Sequence, residues 1–98
     1  MADKLVVIAR IKAKDGHEDR VKFALKALIG PTRKEEGNVS YNWHQSPNDR
    51  RLFMSYEVWE NLELFLKHLE TPYIKAMQES GGDILEGSLE VIMLEPIS

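Results

Sequence analysis

The sequence predicts an α+β domain in which one four-stranded antiparallel sheet carries its helices on a single face. Three observations predict it. Four segments rich in β-branched and aromatic residues have strand-type patterns, and the apolar spacing between them is helical. These segments follow the order β-α-β then β-α-β, with no linker, low-complexity run or repeat. At 98 residues the chain is a single domain, 1–98, with room for one core.

Each element has its own reason. Lys4 to Lys12, "KLVVIARIK", sets Leu5, Val7, Ala9 and Ile11 on one face and Val6 and Ile8 on the other, which predicts a central strand. Glu18 and Asp19 suit a first helical turn, and Val21, Ala24, Leu25 and Leu28 repeat at helical spacing up to Gly30-Pro31, so the first helix is expected over His17–Ile29. Thr32 and Glu35 stand at capping-box spacing before Gly37, which predicts one extra helical turn. Asn38–Gln45 and Arg51–Trp59 flank "SPND", where Pro47 favours a tight turn, and read as a hairpin. Asn61 caps a helix striped by Leu62, Phe65, Leu66 and Leu69; Thr71-Pro72 ends it and starts another that runs to Ser80-Gly81-Gly82. Ser88–Pro96 alternates Leu89, Val91 and Met93 with Ile92 and Leu94 and is expected to be a strand buried on both faces.

A chain of this order forms a ferredoxin-like sheet. Its bare face would carry aliphatic side chains from the first and last strands, and a second copy packed sheet to sheet would cover them. A homodimer is expected.

Composition excludes several function classes. No cysteine is present, so disulfides, thiolate metal sites and thiol nucleophiles are absent. The apolar run near the N-terminus is too short for a signal-peptide core and nothing later resembles a membrane span, which suggests a soluble cytoplasmic protein with no membrane partner. Net charge is −3 and the basic residues are interleaved with acids, so nucleic acid is not an expected partner. Phosphate-binding glycine loops, zinc motifs and the serine-hydrolase elbow are all missing. A metal site would need His44 and His68 with a carboxylate such as Glu57; the spacing is not that of a ligand set, and no metal is expected.

The residues left to carry chemistry are few. His68 falls at the margin of its helix's apolar stripe, where one ring nitrogen can stay hydrogen-bonded while the other faces a cavity. It could equally be a satisfied histidine at the core boundary. Trp59, at a strand end, could line the same cavity or plug the core. Neither position is expected to be central to the core. Asn42 and His44 share one face of their strand, with Tyr41 and Trp43 on the other, and parity does not say which face meets the helices.

Taken together, Glu36-Gly37, Phe53, Tyr56-Glu57, Trp59, His68-Leu69 and Thr71-Pro72-Tyr73 form an ordered set that resembles the antibiotic biosynthesis monooxygenase family, in its quinol-monooxygenase-like branch. The opening "VIARIKAKDGHED" and the closing "GDILEGSLEVIMLEP" extend the likeness over nearly the whole chain. The resemblance implies a dimeric α/β-barrel with the ligand between sheet and helices. It also implies oxygen chemistry without flavin, haem or metal, since a deprotonated hydroquinone or polycyclic phenol can itself reduce O₂ if it is bound, oriented and relieved of its proton. Trp59 and His68 match the family's pocket Trp and His. Haem-degrading relatives carry an asparagine where this chain has Ala9, so the resemblance does not extend to haem as substrate. The expected site comprises His68, Asn42 and His44 as catalytic groups, with Trp59, Tyr56, Phe65 and Tyr73 around the ligand. An isomerase or lyase acting on a small metabolite, or a non-catalytic binder of aromatic ligands, would fit the same fold.

Overall fold

Strand β1 (Leu5–Lys12) lies between β3 (Leu52–Trp59) and β4 (Glu90–Leu94), and β2 (Asn38–Gln45) completes the sheet on the far side of β3 in a computed structural model that describes residues 4–98. The order β2-β3-β1-β4 is antiparallel throughout, the ferredoxin-like arrangement. Three helices lie on one face: α1 (Glu18–Arg33), α2 (Leu62–Leu69) and α3 (Pro72–Ile84).

Alternation along the strands builds the core. Leu5, Val7, Ala9 and Ile11 of β1, Phe53, Ser55, Glu57 and Trp59 of β3, and Tyr41 of β2 are buried on the helix side. Val21, Leu25 and Leu28 of α1, Phe65 of α2, and Ile74 and Ile84 of α3 close over them. Helix starts follow the expected chemistry: Asn61 Oδ1 accepts the Leu64 N–H at 2.9 Å, and Thr71 caps α3 with Pro72 as its first residue. Among the described residues no helix is long and apolar enough to cross a membrane.

Helix α1 does not stop at Gly30-Pro31. It continues to Arg33 with Pro31 inside it. A proline this close to a C-terminus removes only one intrahelical bond, and Thr32 is wholly buried while Arg33 bonds the Tyr41 carbonyl (3.1 Å) and Asn42 Oδ1 (2.8 Å), which holds the last turn down. The expected extra turn is therefore the end of α1, closed by the Glu35 N–H on the Thr32 carbonyl at 3.0 Å. No capping box forms: among the described residues the buried Thr32 Oγ1 has no hydrogen-bond partner, and the Glu35 carboxylate turns to His68 instead. Gly37 follows with φ 88°, where a Cβ would run into Leu64.

Strand β4 also departs from expectation. It is buried on neither face in the single chain; Val91, Ile92, Met93 and Leu94 are all 40% or more exposed. It is an edge strand beside β1, and among the described residues β1 is the element it chiefly contacts. On the face away from the helices, Val6, Ile8, Met54 and Val58 are half-buried beside exposed Ile92 and Leu94.

Candidate functional site

Between sheet and helices lies a cavity of about 250 Å³. Its walls are mostly apolar, with Val7 and Ile11 of β1, Leu25 and Leu28 of α1, Met77 of α3 and the rings of Tyr41, Trp43 and Phe65. Glu57 and His68 reach it from β3 and α2. Gly81 and Gly82 of α3, with Leu89 and Val91, complete its lining.

His68 is 2% exposed and held on several sides. Its Nδ1 lies 2.9 Å from Glu35 Oε2, the same oxygen that accepts the Tyr73 hydroxyl. Three elements thus meet on one carboxylate: the turn after α1, α2 and the first turn of α3. Rings surround the imidazole at centroid distances of 4.8 Å for Trp59, 5.6 Å for Tyr41 and 6.2 Å for Phe65. Among the described residues its Nε2 makes no hydrogen bond.

Glu57 is the second carboxylate. Its Oε1 accepts the Trp59 indole N–H at 3.0 Å and its Oε2 the Ser55 hydroxyl at 2.7 Å, while Ser55 Oγ in turn takes the Ala9 N–H at 2.9 Å. Burial pushes the Glu57 carboxyl above the usual glutamate range, against the two donors and the nearby His68, which pull it down. Burial likewise raises the Tyr41 hydroxyl, which accepts the Trp43 Nε1–H at 3.0 Å. Tyr73 is pushed up to about 12, by burial first and then by the Glu35 carboxylate, so its hydroxyl keeps its proton and donates.

The structure brings His68, Phe65 and Tyr73 together around this centre, with Phe65 and His68 on the cavity wall and Tyr73 behind it through Glu35. Trp59 does not reach the cavity. It is wholly buried behind His68 and bonded to Glu57. The expectation that Trp59 and His68 lie outside the core centre is corrected by their burial, since the strand end bearing Trp59 is roofed by α2. Asn42, His44 and Tyr56 stand on the opposite face of the sheet: Tyr56 and Asn42 pair across β3 and β2, both exposed, and His44 Nδ1 contacts the Met54 carbonyl at 3.2 Å. His44 and His68 are therefore separated by the sheet.

Sequence reasoning missed Glu35, Glu57 and Tyr41 as site residues. Parity held the signal for two of them, since Glu57 shares a face with Trp59, and Tyr41 with the cavity-lining Trp43. Glu35 gave a misleading signal, because capping-box spacing accounted for it locally.

The family model for antibiotic biosynthesis monooxygenases matches residues 4–80. The chain belongs to that family. Within reach of the family, PA3566 of Pseudomonas aeruginosa is similar in structure, with a TM-score of 0.94 and 28% identity over 100% of this chain and 98% of that one. YcnE of Bacillus subtilis, named as a candidate monooxygenase, is 25% identical over 93% of this chain and 96% of its own length. The uncharacterized protein sll1783 of Synechocystis is 29% identical over 91% of this chain, which spans only 60% of that relative.

Chemically, the arrangement offers a mostly apolar cavity, one imidazole with a nitrogen that has no partner among the described residues, and a buried carboxyl held by two donors. Such a site can take a proton from a weakly acidic group on an aromatic ligand and hold the resulting anion near a cation.

Proposed function

We propose that the protein is a cofactor-independent monooxygenase or oxidase of a quinol-like or polycyclic phenolic substrate, working in the cytoplasm as a homodimer. The observation that carries this reading is His68, which lines an apolar, aromatic-walled cavity with its Nδ1 anchored on Glu35 and its Nε2 without a hydrogen-bond partner among the described residues. A phenol seated against Phe65 and Tyr41 would pass its proton to His68. The phenolate would then be electron-rich enough to reduce O₂, and for a hydroquinone two electrons and two protons leave the ring as O₂ becomes H₂O₂. Trp59 backs the imidazole and keeps it from swinging into the core. Family membership supports the oxygen chemistry, and the apolar outer face of the sheet supports the dimer.

The test is oxygen uptake with menadiol, with the non-enzymatic rate subtracted. Excess uptake that saturates with menadiol and falls away in His68→Gln is the expected result. Saturable quenching of tryptophan fluorescence by naphthols, with no excess uptake, would instead make the cavity a binding site without oxidase activity.

A further inference from the structure

We propose that Glu35 is a positioning residue that fixes the tautomer of His68, holding the proton on Nδ1 so that the Nε2 lone pair faces the cavity. The inference rests on the reading of His68 as proton acceptor and adds the device that would make it one.

The geometry favours one arrangement of protons. Glu35 Oε2 receives both His68 Nδ1 at 2.9 Å and the Tyr73 hydroxyl. Tyr73 keeps its proton to about 12, so across ordinary pH it is a donor to that oxygen. An ionised carboxylate has no hydrogen to offer a bare Nδ1, and the buried Tyr73 hydroxyl donating to the same oxygen favours that ionised form. With Glu35 accepting as a carboxylate, Nδ1 carries the hydrogen, and in a neutral imidazole the lone pair then sits on Nε2. The side chain of His68 is 3% exposed and that of Glu35 is 15% exposed, so water competes little for the contact.

The other polar groups around the ring do not oppose this. Glu57 faces it from β3 with both carboxylate oxygens occupied by Trp59 and Ser55. Tyr41 faces it from β2 edge-on, its hydroxyl accepting from Trp43. Phe65 on α2 contributes only a ring face. Among the described residues Glu35 alone bonds the imidazole, and Tyr73 donates to the same carboxylate. When the ring becomes an imidazolium, the same carboxylate balances its charge.

The experiment is nitrogen NMR of the histidine side chains in the full chain, at a pH where His68 is neutral, with His68→Gln identifying its signals. Wild type should show a protonated Nδ1 and a bare Nε2. Glu35→Leu should shift His68 toward the other tautomer and lower menadiol turnover by more than about 10-fold. Glu35→Gln, whose amide oxygen is steered to the ring by the Tyr73 hydroxyl, should restore the wild-type tautomer with turnover between the two. A wild-type His68 protonated on Nε2, or an unchanged tautomer in folded Glu35→Leu, would overturn the assignment. Should Glu35→Leu fail to fold, the wild-type and Glu35→Gln spectra decide. A wild-type protein with the expected tautomer but no excess oxygen uptake refutes the oxidase reading and leaves Glu35 in its role.

Discussion

The indole of Trp59 lies against the imidazole of His68, with ring centroids 4.8 Å apart and planes inclined at 39°. Its N–H points the other way, to Glu57 Oε1. One side chain therefore supports both polar groups of the cavity, by packing against one and donating to the other.

Truncation should expose that double role. Trp59→Ala removes a wholly buried ring and should cost about 3–5 kcal/mol in urea unfolding. Trp59→Phe keeps much of the packing but leaves Glu57 Oε1 without its donor, at about 1–3 kcal/mol. A stability loss in Trp59→Phe below a few tenths of a kcal/mol would mean that the indole N–H contributes nothing to the fold.

His68→Gln and His68→Ala should both lose turnover by on the order of 10²-fold or more, because neither can shuttle a proton at neutral pH. With His68 buried and bonded, His68→Ala should also melt at lower temperature than His68→Gln. Turnover per folded molecule, measured below both melting transitions, separates the two effects; if it equals the wild-type value in either variant, His68 is packing only.

Glu57 gives a pH signature. Its folded-state value is raised above the ordinary 4.5, so the folded chain binds that proton more tightly than the unfolded chain. The stabilisation is complete below about 4.5 and is lost as pH rises through the folded value. Glu57→Gln, which cannot ionise, should therefore gain on wild type as pH climbs from 4 to 8. Urea midpoints across that range check it, and a difference that stays constant with pH would show that Glu57 ionises as easily in the fold as out of it.

Two glycines, Gly82 and Gly37, should behave in opposite ways. At Gly82, inside α3, an added Cβ meets nothing, so Gly82→Ala should stabilise by roughly 0.5–1 kcal/mol. At Gly37 the positive φ and the contact with Leu64 make Gly37→Ala destabilising by at least about 1 kcal/mol. Thermal unfolding of the two single variants reads both signs.

The proposed dimer is tested on the outer face. Ile92→Lys places a charge on a residue that is 46% exposed in the single chain and pairs across β1 with Ile8. Sedimentation should change from dimer to monomer with the circular dichroism unaltered; a monomeric wild type would remove the proposal.

Most of the fold was legible because the patterns that define it are local. Alternation marked β1 and the hairpin, and Asn61, Thr71 and Pro72 announced the helix starts where they occur. What failed depended on distant partners. Pro31 reads as a stop unless Thr32 is known to be buried and Arg33 to reach β2. Glu35 reads as a capping acid unless His68, thirty-three positions away, is known to lie beside it. Asn42 and His44 were placed on the correct strand, but strand parity alone cannot tell which face the helices cover.

The central position of β1 also shapes the order in which the molecule assembles. Strands β2 and β3 are joined by a short turn and can zip together early, whereas β1 must find β3 across α1 and the hairpin, and β4 must find β1 across almost the full length of the chain. Docking of β4 brings Leu89 and Val91 into place, so the cavity lining is complete only when that strand has paired with β1. Amides of β4, an edge strand, should then exchange with solvent through openings that leave β2 and β3 paired, and the wall formed by Leu89 and Val91 would be the first part of the native structure to come undone.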